Sequence, residues 1–145
     1  MMTEAAAKSI VVERVMPHAP EKIWRALTQA QIVAEWLMRN DFEPVVGRKF
    51  QFHATPQPGW KGYTNCEVLE VDEPSKLVYS WGDGTESGSG LKTIVTWTLT
   101  PEAGGTRVRM EQSGFTPADE DGFNGMGAGW PRILAALERA AGMVS

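Results

Sequence analysis

The hydrophobic period changes twice along the chain, and the two changes divide it into three parts. Residues 9–17, SIVVERVMP, are dense in β-branched side chains over the length of one strand, and Pro17 and Pro20 cannot continue a ladder. They predict a first strand. Pro20 suits the first turn of a helix, and Ile23 with Leu27 falls at i and i+4, so a short helix buries Ile23, Trp24 and Leu27. Thr28 interrupts that helix and is placed to cap a second one, in which Ile32 and Trp36 repeat the spacing.

From Phe42 to Gly114 the period is two, broken by Gly, Pro and Asp, which predicts an antiparallel meander of five or six strands. In RKFQFHA, Phe50 and Phe52 share one face and Lys49, Gln51 and His53 the other. Segment 62–72 reads both ways, because Cys66 and Val68 alternate on one face while Leu69 and Val71 alternate on the other. A bulge near Leu69 reconciles them. Leu77, Tyr79 and Trp81 then share a face, as do Val95, Trp97 and Leu99. In TRVRMEQSG, Val108 and Met110 face in, Arg107, Arg109 and Glu111 face out, and the same alternation turns Gln112 inward.

The last part, from about residue 118 to 141, spaces Phe123, Met126, Trp130, Leu134 and Leu137 at threes and fours, giving a long amphipathic helix along the sheet. Its first half carries Gly122, Gly125, Gly127 and Gly129, each costing about 1 kcal/mol against Ala, and Pro131 removes a helical hydrogen bond at about 3 kcal/mol. A kink or a late helix start near Gly129 is expected. The order β, α, α, β-meander, long α describes an α+β fold in one domain over residues 9–145, with residues 1–8 as a flexible tail.

Composition narrows the function. At 145 residues one core is expected, burying roughly two-thirds of the unfolded surface. A net charge of -4 lacks the dense basic face that nucleic acid requires. The single cysteine, Cys66, excludes an internal disulfide and makes the cytoplasm the default location. No stretch approaches the ~18 apolar residues of a membrane span, and the N-terminus has no signal-peptide pattern. No membrane partner is expected.

Catalytic and metal chemistry find little support. His18, His53 and Cys66 are scattered without a ligand spacing, so no metal site is assigned. No nucleophile elbow or cysteine–histidine motif appears, and neither a catalytic residue nor a cofactor is assigned. Cys66 reads as a structural cysteine. Asp119, Glu120 and Asp121 stand where the last helix should start and complement its dipole. The GSG and GMGAG stretches lack phosphate-loop patterns. They read as flexibility at a cavity rim, in a loop over residues 82–90 and in the helix over residues 125–129.

The aromatic residues are the informative set. Six Trp are more than a core of this size needs, and each buried indole N–H wants a partner, which favours a lined space. The candidate walls are Trp36, Phe42, Phe50, Phe52, Trp81 and Trp97, joined by Phe123, Met126 and Trp130 from the last helix. Gln112 is the candidate polar group that orients a ligand. Arg14 is a second, against the plain reading of a solvated strand face. Trp60, in the loop PQPGWKGY, is a candidate anchor for a protein partner.

The phrases ERVMPHAPEKIWRALTQAQIVAEW, EVLEVDEPSKLVYSW, VTWTLTPEAGGTRVRMEQSGF and GWPRILAALE resemble the SRPBCC or START-like (Bet v 1-like) superfamily, in the branch related to the activator of heat-shock-protein-90 ATPase. The pairing of IW with a later EW, the strand ending YSW and the GW of the last helix carry the likeness, which covers nearly the whole chain. The resemblance implies a helix-grip fold, with about seven antiparallel strands curved around the C-terminal helix. Two short helices between strands 1 and 2 would close one end of a cavity. It implies a hydrophobic, aromatic or lipid-like small molecule as ligand. The alternative it implies is a co-chaperone-like module with a chaperone or other protein partner, although a chain of this length leaves no room for the separate N-terminal domain of the co-chaperones. A cyclase- or hydrolase-like enzyme is the third reading, for which no acid–base pair is visible. A monomer or a homodimer through an edge strand is expected.

Overall fold

The computed structural model describes residues 8–55, 62–82 and 92–144. The first strand, β1 (Lys8–Met16), begins one residue before the β-branched run and stops ahead of Pro17. Helix α1 (Pro20–Thr28) opens on Pro20, where a missing N–H costs nothing, and α2 (Ala30–Trp36) follows after one residue. Thr28 does not cap α2. Its hydroxyl donates to the Trp24 carbonyl one turn back, 2.8 Å away, so the buried oxygen is satisfied inside α1. Gln29 holds the N-cap position of α2 without a side-chain bond.

Strands β2 (Arg39–Asn40), β3 (Lys49–His53), β4 (Tyr63–Asp72), β5 (Lys76–Gly82), β6 (Lys92–Glu102) and β7 (Gly105–Phe115) complete the sheet. With β1 they form one seven-stranded antiparallel sheet in the order β1-β7-β6-β5-β4-β3-β2. The first two strands in sequence therefore lie at opposite edges, and α1 with α2 carries the chain between them. The bulge falls where the alternation predicts: the β4–β5 register shifts between Val68 and Glu70, leaving Leu69 41% exposed while Cys66 and Val68 stay inside. The β6–β7 turn needs its glycines. Gly104 has φ +82, and a Cβ on Gly105 would collide with the Met16 carbonyl on β1.

A 3-10 turn (Pro117–Asp119) leads into α3 (Glu120–Gly142), a helix of 23 residues. The late start near Gly129 does not occur. The Asp119 carboxylate accepts from the Thr116 N–H at 2.8 Å and from its hydroxyl at 3.0 Å, closing a capping box that starts the helix ahead of its glycines. The acidic cluster thus begins with a capping residue, in keeping with its reading as a helix-start complement. From Trp130 onward, Leu134, Leu137 and Ala141 form the buried stripe of α3. No described helix is long and apolar enough to cross a membrane.

Candidate functional site

Period-two alternation delivers the inward face of the sheet. Phe50 and Phe52 come from β3, Tyr79 and Trp81 from β5, Trp97 from β6 and Gln112 from β7, all buried. Trp36 ends α2, Phe42 follows β2, and Trp130 descends from α3; these too are buried.

The rings form one continuous arc. Phe42 meets Phe50 at 5.0 Å between centroids, Phe50 meets Phe52 at 5.3 Å, and Phe52 meets Trp81 at 5.2 Å. Trp130 then touches both Trp81 and Trp97 at 5.8 Å, and Trp97 meets Trp36 at 5.7 Å. Most of these contacts are edge-on, the arrangement in which the positive rim of one ring meets the negative face of the next. Tyr79 packs against Phe50 at 5.5 Å and against Phe42 and Phe52 slightly farther off. Ring contact, not open space, is what joins the predicted wall residues.

A polar relay runs through the arc. The Trp130 Nε1–H donates to Gln112 Oε1 at 2.8 Å, Gln112 Nε2 donates to Thr93 Oγ1 at 2.9 Å, and the Thr93 hydroxyl donates to the Trp81 carbonyl at 2.9 Å. Gln112 has no exposed surface at all. The Trp97 indole donates to the Tyr79 hydroxyl at 3.0 Å, and the Trp36 indole to the Ala26 carbonyl at 2.8 Å. These three indoles are therefore satisfied by the protein itself, as buried donors must be.

The sequence pattern did not single out Tyr79 or Thr93. Tyr79 sits in the same alternating triplet as Trp81, whereas Thr93 carries no signal beyond strand propensity. Burial pushes the Tyr79 phenol well above its ordinary range, an effect partly offset by the hydrogen bond from Trp97. Burial likewise pushes the Cys66 thiol far up, with the Asp41 carboxylate adding to the shift. Both groups stay protonated near neutral pH, so neither is an activated nucleophile.

Other predicted residues lie elsewhere. Phe123 and Met126 are half-buried on the first half of α3, outside the arc. Phe123 packs on Phe115 at 5.2 Å, with the Lys8 ammonium 5.2 Å from its ring centre. Arg14 turns toward α3 but reaches only its surface, where Nε lies 2.7 Å from a Glu138 carboxylate oxygen. His53 stands opposite Arg39 in the β2–β3 pair. Among the described residues no three His, Cys, Asp or Glu gather as metal ligands. Trp60 and residues 83–90 of the glycine-rich loop lie outside the described residues. A surface hollow of about 350 Å³ includes Trp81, Thr93, Asn65, Ser80 and Ile94 in its lining, so the outer end of the relay borders solvent.

Comparison with known proteins places this geometry. The family model described as Activator of Hsp90 ATPase homolog 1-like protein matches residues 17–142. No curated protein matches the chain. Among solved structures, MLL2253 from Mesorhizobium loti is 44% identical, with a TM-score of 0.84 over 92% of this chain and 96% of that one. The solution structure of the Aha1 dimer from Colwellia psychrerythraea is 20% identical, with a TM-score of 0.80 over 94% of this chain and 97% of that one. CalU16 from Micromonospora echinospora is 18% identical, with a TM-score of 0.75 over 93% of this chain and 76% of that one. At those lower identities the last two show the fold alone.

Proposed function

The chain belongs to the family of Activator of Hsp90 ATPase homolog 1-like proteins, and on that footing we propose that it binds an apolar, aromatic or lipid-like small molecule within the aromatic arc. The observation that carries this reading is Gln112. Its amide has two N–H groups and an oxygen with two lone pairs; one N–H serves Thr93 and one lone pair serves Trp130. The second N–H has no acceptor among the described residues, and the side chain is wholly buried. A carbonyl or phenolic oxygen on an otherwise apolar ligand would accept from it. The surrounding rings would supply affinity at roughly 25 cal/mol per Å² of apolar surface covered.

Trp36, Phe42, Phe50, Phe52, Trp81, Trp97 and Trp130 are the proposed walls, with Phe123 and Met126 at the rim. The rings touch, so a guest must part them or displace α3. Burial that holds the Cys66 thiol protonated gives no support to a nucleophilic cysteine at this site. The cytoplasm is the proposed location, since a single cysteine gives no disulfide to suggest an oxidising compartment. A monomer or a homodimer is the proposed assembly, the second in line with the dimer named for the Colwellia protein.

The test is a library of fatty acids and aromatic carbonyl compounds, read by thermal shift and tryptophan fluorescence, on the natural chain and on Gln112→Met. Binders carrying an acceptor oxygen should lose about tenfold in affinity in the variant, the worth of one hydrogen bond. Hydrocarbons of matching shape should keep theirs. Equal affinities for both classes in both proteins would remove Gln112 from the site.

One observation favours a protein-binding reading as the second. Val45, Val46 and Leu69 are 58%, 62% and 41% exposed, and the hydrogen bond from the Gly47 N–H to the Val68 carbonyl, 2.8 Å, draws their segments together. Leu69→Asp with Val46→Asp should abolish capture of an Hsp90-type chaperone if this is the contact surface, and should leave small-molecule binding intact.

A further inference from the structure

This inference rests on the ligand-binding reading and concerns how a guest reaches the arc. Gly125, Gly127 and Gly129 lie in helical backbone, and the described glycines with positive φ are Gly47, Gly62, Gly104 and Gly114, none of them in α3. A Cβ on Gly125 or on Gly129 would meet nothing within 4 Å, and one on Gly127 would make an ordinary contact, 3.9 Å, with Ile10 Cδ1. Neither backbone conformation nor close packing calls for glycine there, in contrast to Gly105. What the glycines do is weaken the helix, each by about fivefold relative to Ala, or about a hundredfold together.

The break in strength is sharply placed. Pro131 donates no hydrogen bond back to Gly127, and proline is favoured at the first turn of a helix, so residues 130–142 can persist as a helix without the turns before them. That second half is anchored by the Trp130–Gln112 bond, by buried Leu134, Leu137 and Ala141, and by the Arg14–Glu138 pair. Among the described side chains of residues 120–129 none is fully buried; the stacking of Phe123 on Phe115 and the half-buried Met126 hold that half down.

We propose that residues 120–129 of α3 are a hinged lid. They unravel together as far as Gly129–Pro131 while residues 132–142 stay helical and docked, uncovering Ile10 and Phe115 and giving an apolar guest its path to Gln112. Such gates draw on locally weak helix in a stable frame.

Amide hydrogen exchange on the full chain tests the motion. Amides of residues 120–129 should exchange at least 100-fold faster than those of residues 132–142. In the double variant Gly125→Ala, Gly129→Ala the faster set should slow by about 25-fold, with the slower set unchanged. The same variant should slow both uptake and release of 1-anilinonaphthalene-8-sulfonate about 25-fold and leave its Kd unaltered, since a gate changes rates and not end states. Ala136→Gly, a change of equal size in the docked half, should slow neither. Equal exchange in the two halves, or exchange in residues 120–129 unmoved by the double variant, overturns the hinge. Probe uptake at the same rate in the double variant overturns its gating role. Exchange asymmetry with no probe uptake by the natural chain upholds the hinge and counts against the binding reading instead.

Discussion

The two halves of α3 share one helix and do different work. Residues 130–142 place Trp130, Leu134, Leu137 and Ala141 wholly in the core, whereas residues 120–129 lay half-buried Phe123 and Met126 across the end of the β1–β7 face. Amphipathic spacing is continuous through both. The difference lies in what fills the polar side and the gaps between apolar positions: glycine in the first half, Ala, Leu and Arg in the second. Burial of an apolar stripe and strength of the helix beneath it are thus set separately, and a cover needs the first without the second.

The contrast can be attacked by mutation. The largest effect is expected for Trp130→Ala, which removes a buried ring touching two others and leaves Gln112 Oε1 without its donor; chemical denaturation should show a loss of about 3–5 kcal/mol. Phe123→Ala, the counterpart in the first half, should cost well under half as much, because its ring is already partly in water. Equal losses at the two positions would erase the distinction. Next comes Gln112→Leu, which keeps apolar bulk but orphans the Trp130 indole N–H, at about 1–3 kcal/mol.

Gly125→Ala and Gly129→Ala act in the opposite sense. Each should stabilise by up to about 1 kcal/mol, seen as a raised Tm, since the added methyl meets nothing. The smallest effect concerns pH and the packed side of the comparison. The folded Cys66 thiol ionises only far above its ordinary range, so its contribution to stability is complete below the unfolded thiol pKa of about 8.5 and is lost as pH rises beyond it. Denaturation at pH 9 should give roughly 0.5 kcal/mol less stability than at pH 7 from this group, a loss absent in Cys66→Ala.

Faces of strands were legible because side chains alternate whatever the register. The inward turn of Gln112 and the bulge at Leu69 both follow from counting by two. Partners were not legible. Thr93 meets Gln112 because β6 and β7 pair with Val95 opposite Gln112, a register fixed by the short Gly104–Gly105 turn and invisible from either strand alone. Two residues of β2 are too few to show any period. Thr28 has the chemistry of a cap, yet its burial inside α1 sends the hydroxyl back one turn. Helical spacing gives the angle of Phe123 and Met126 around α3 but not the depth of the surface below them. It therefore groups them with Trp130, from which the fold separates them.

The most direct test of ligand binding in the arc is native mass spectrometry of the protein purified from its own cells with nothing added, followed by identification of any released molecule. A stoichiometric apolar adduct bearing an acceptor oxygen, lost on denaturation and diminished in Gln112→Met, is the predicted result. A bare polypeptide mass, together with no thermal shift from fatty acids or aromatic carbonyl compounds, would contradict it and leave the exposed Val45, Val46 and Leu69 surface as the functional face.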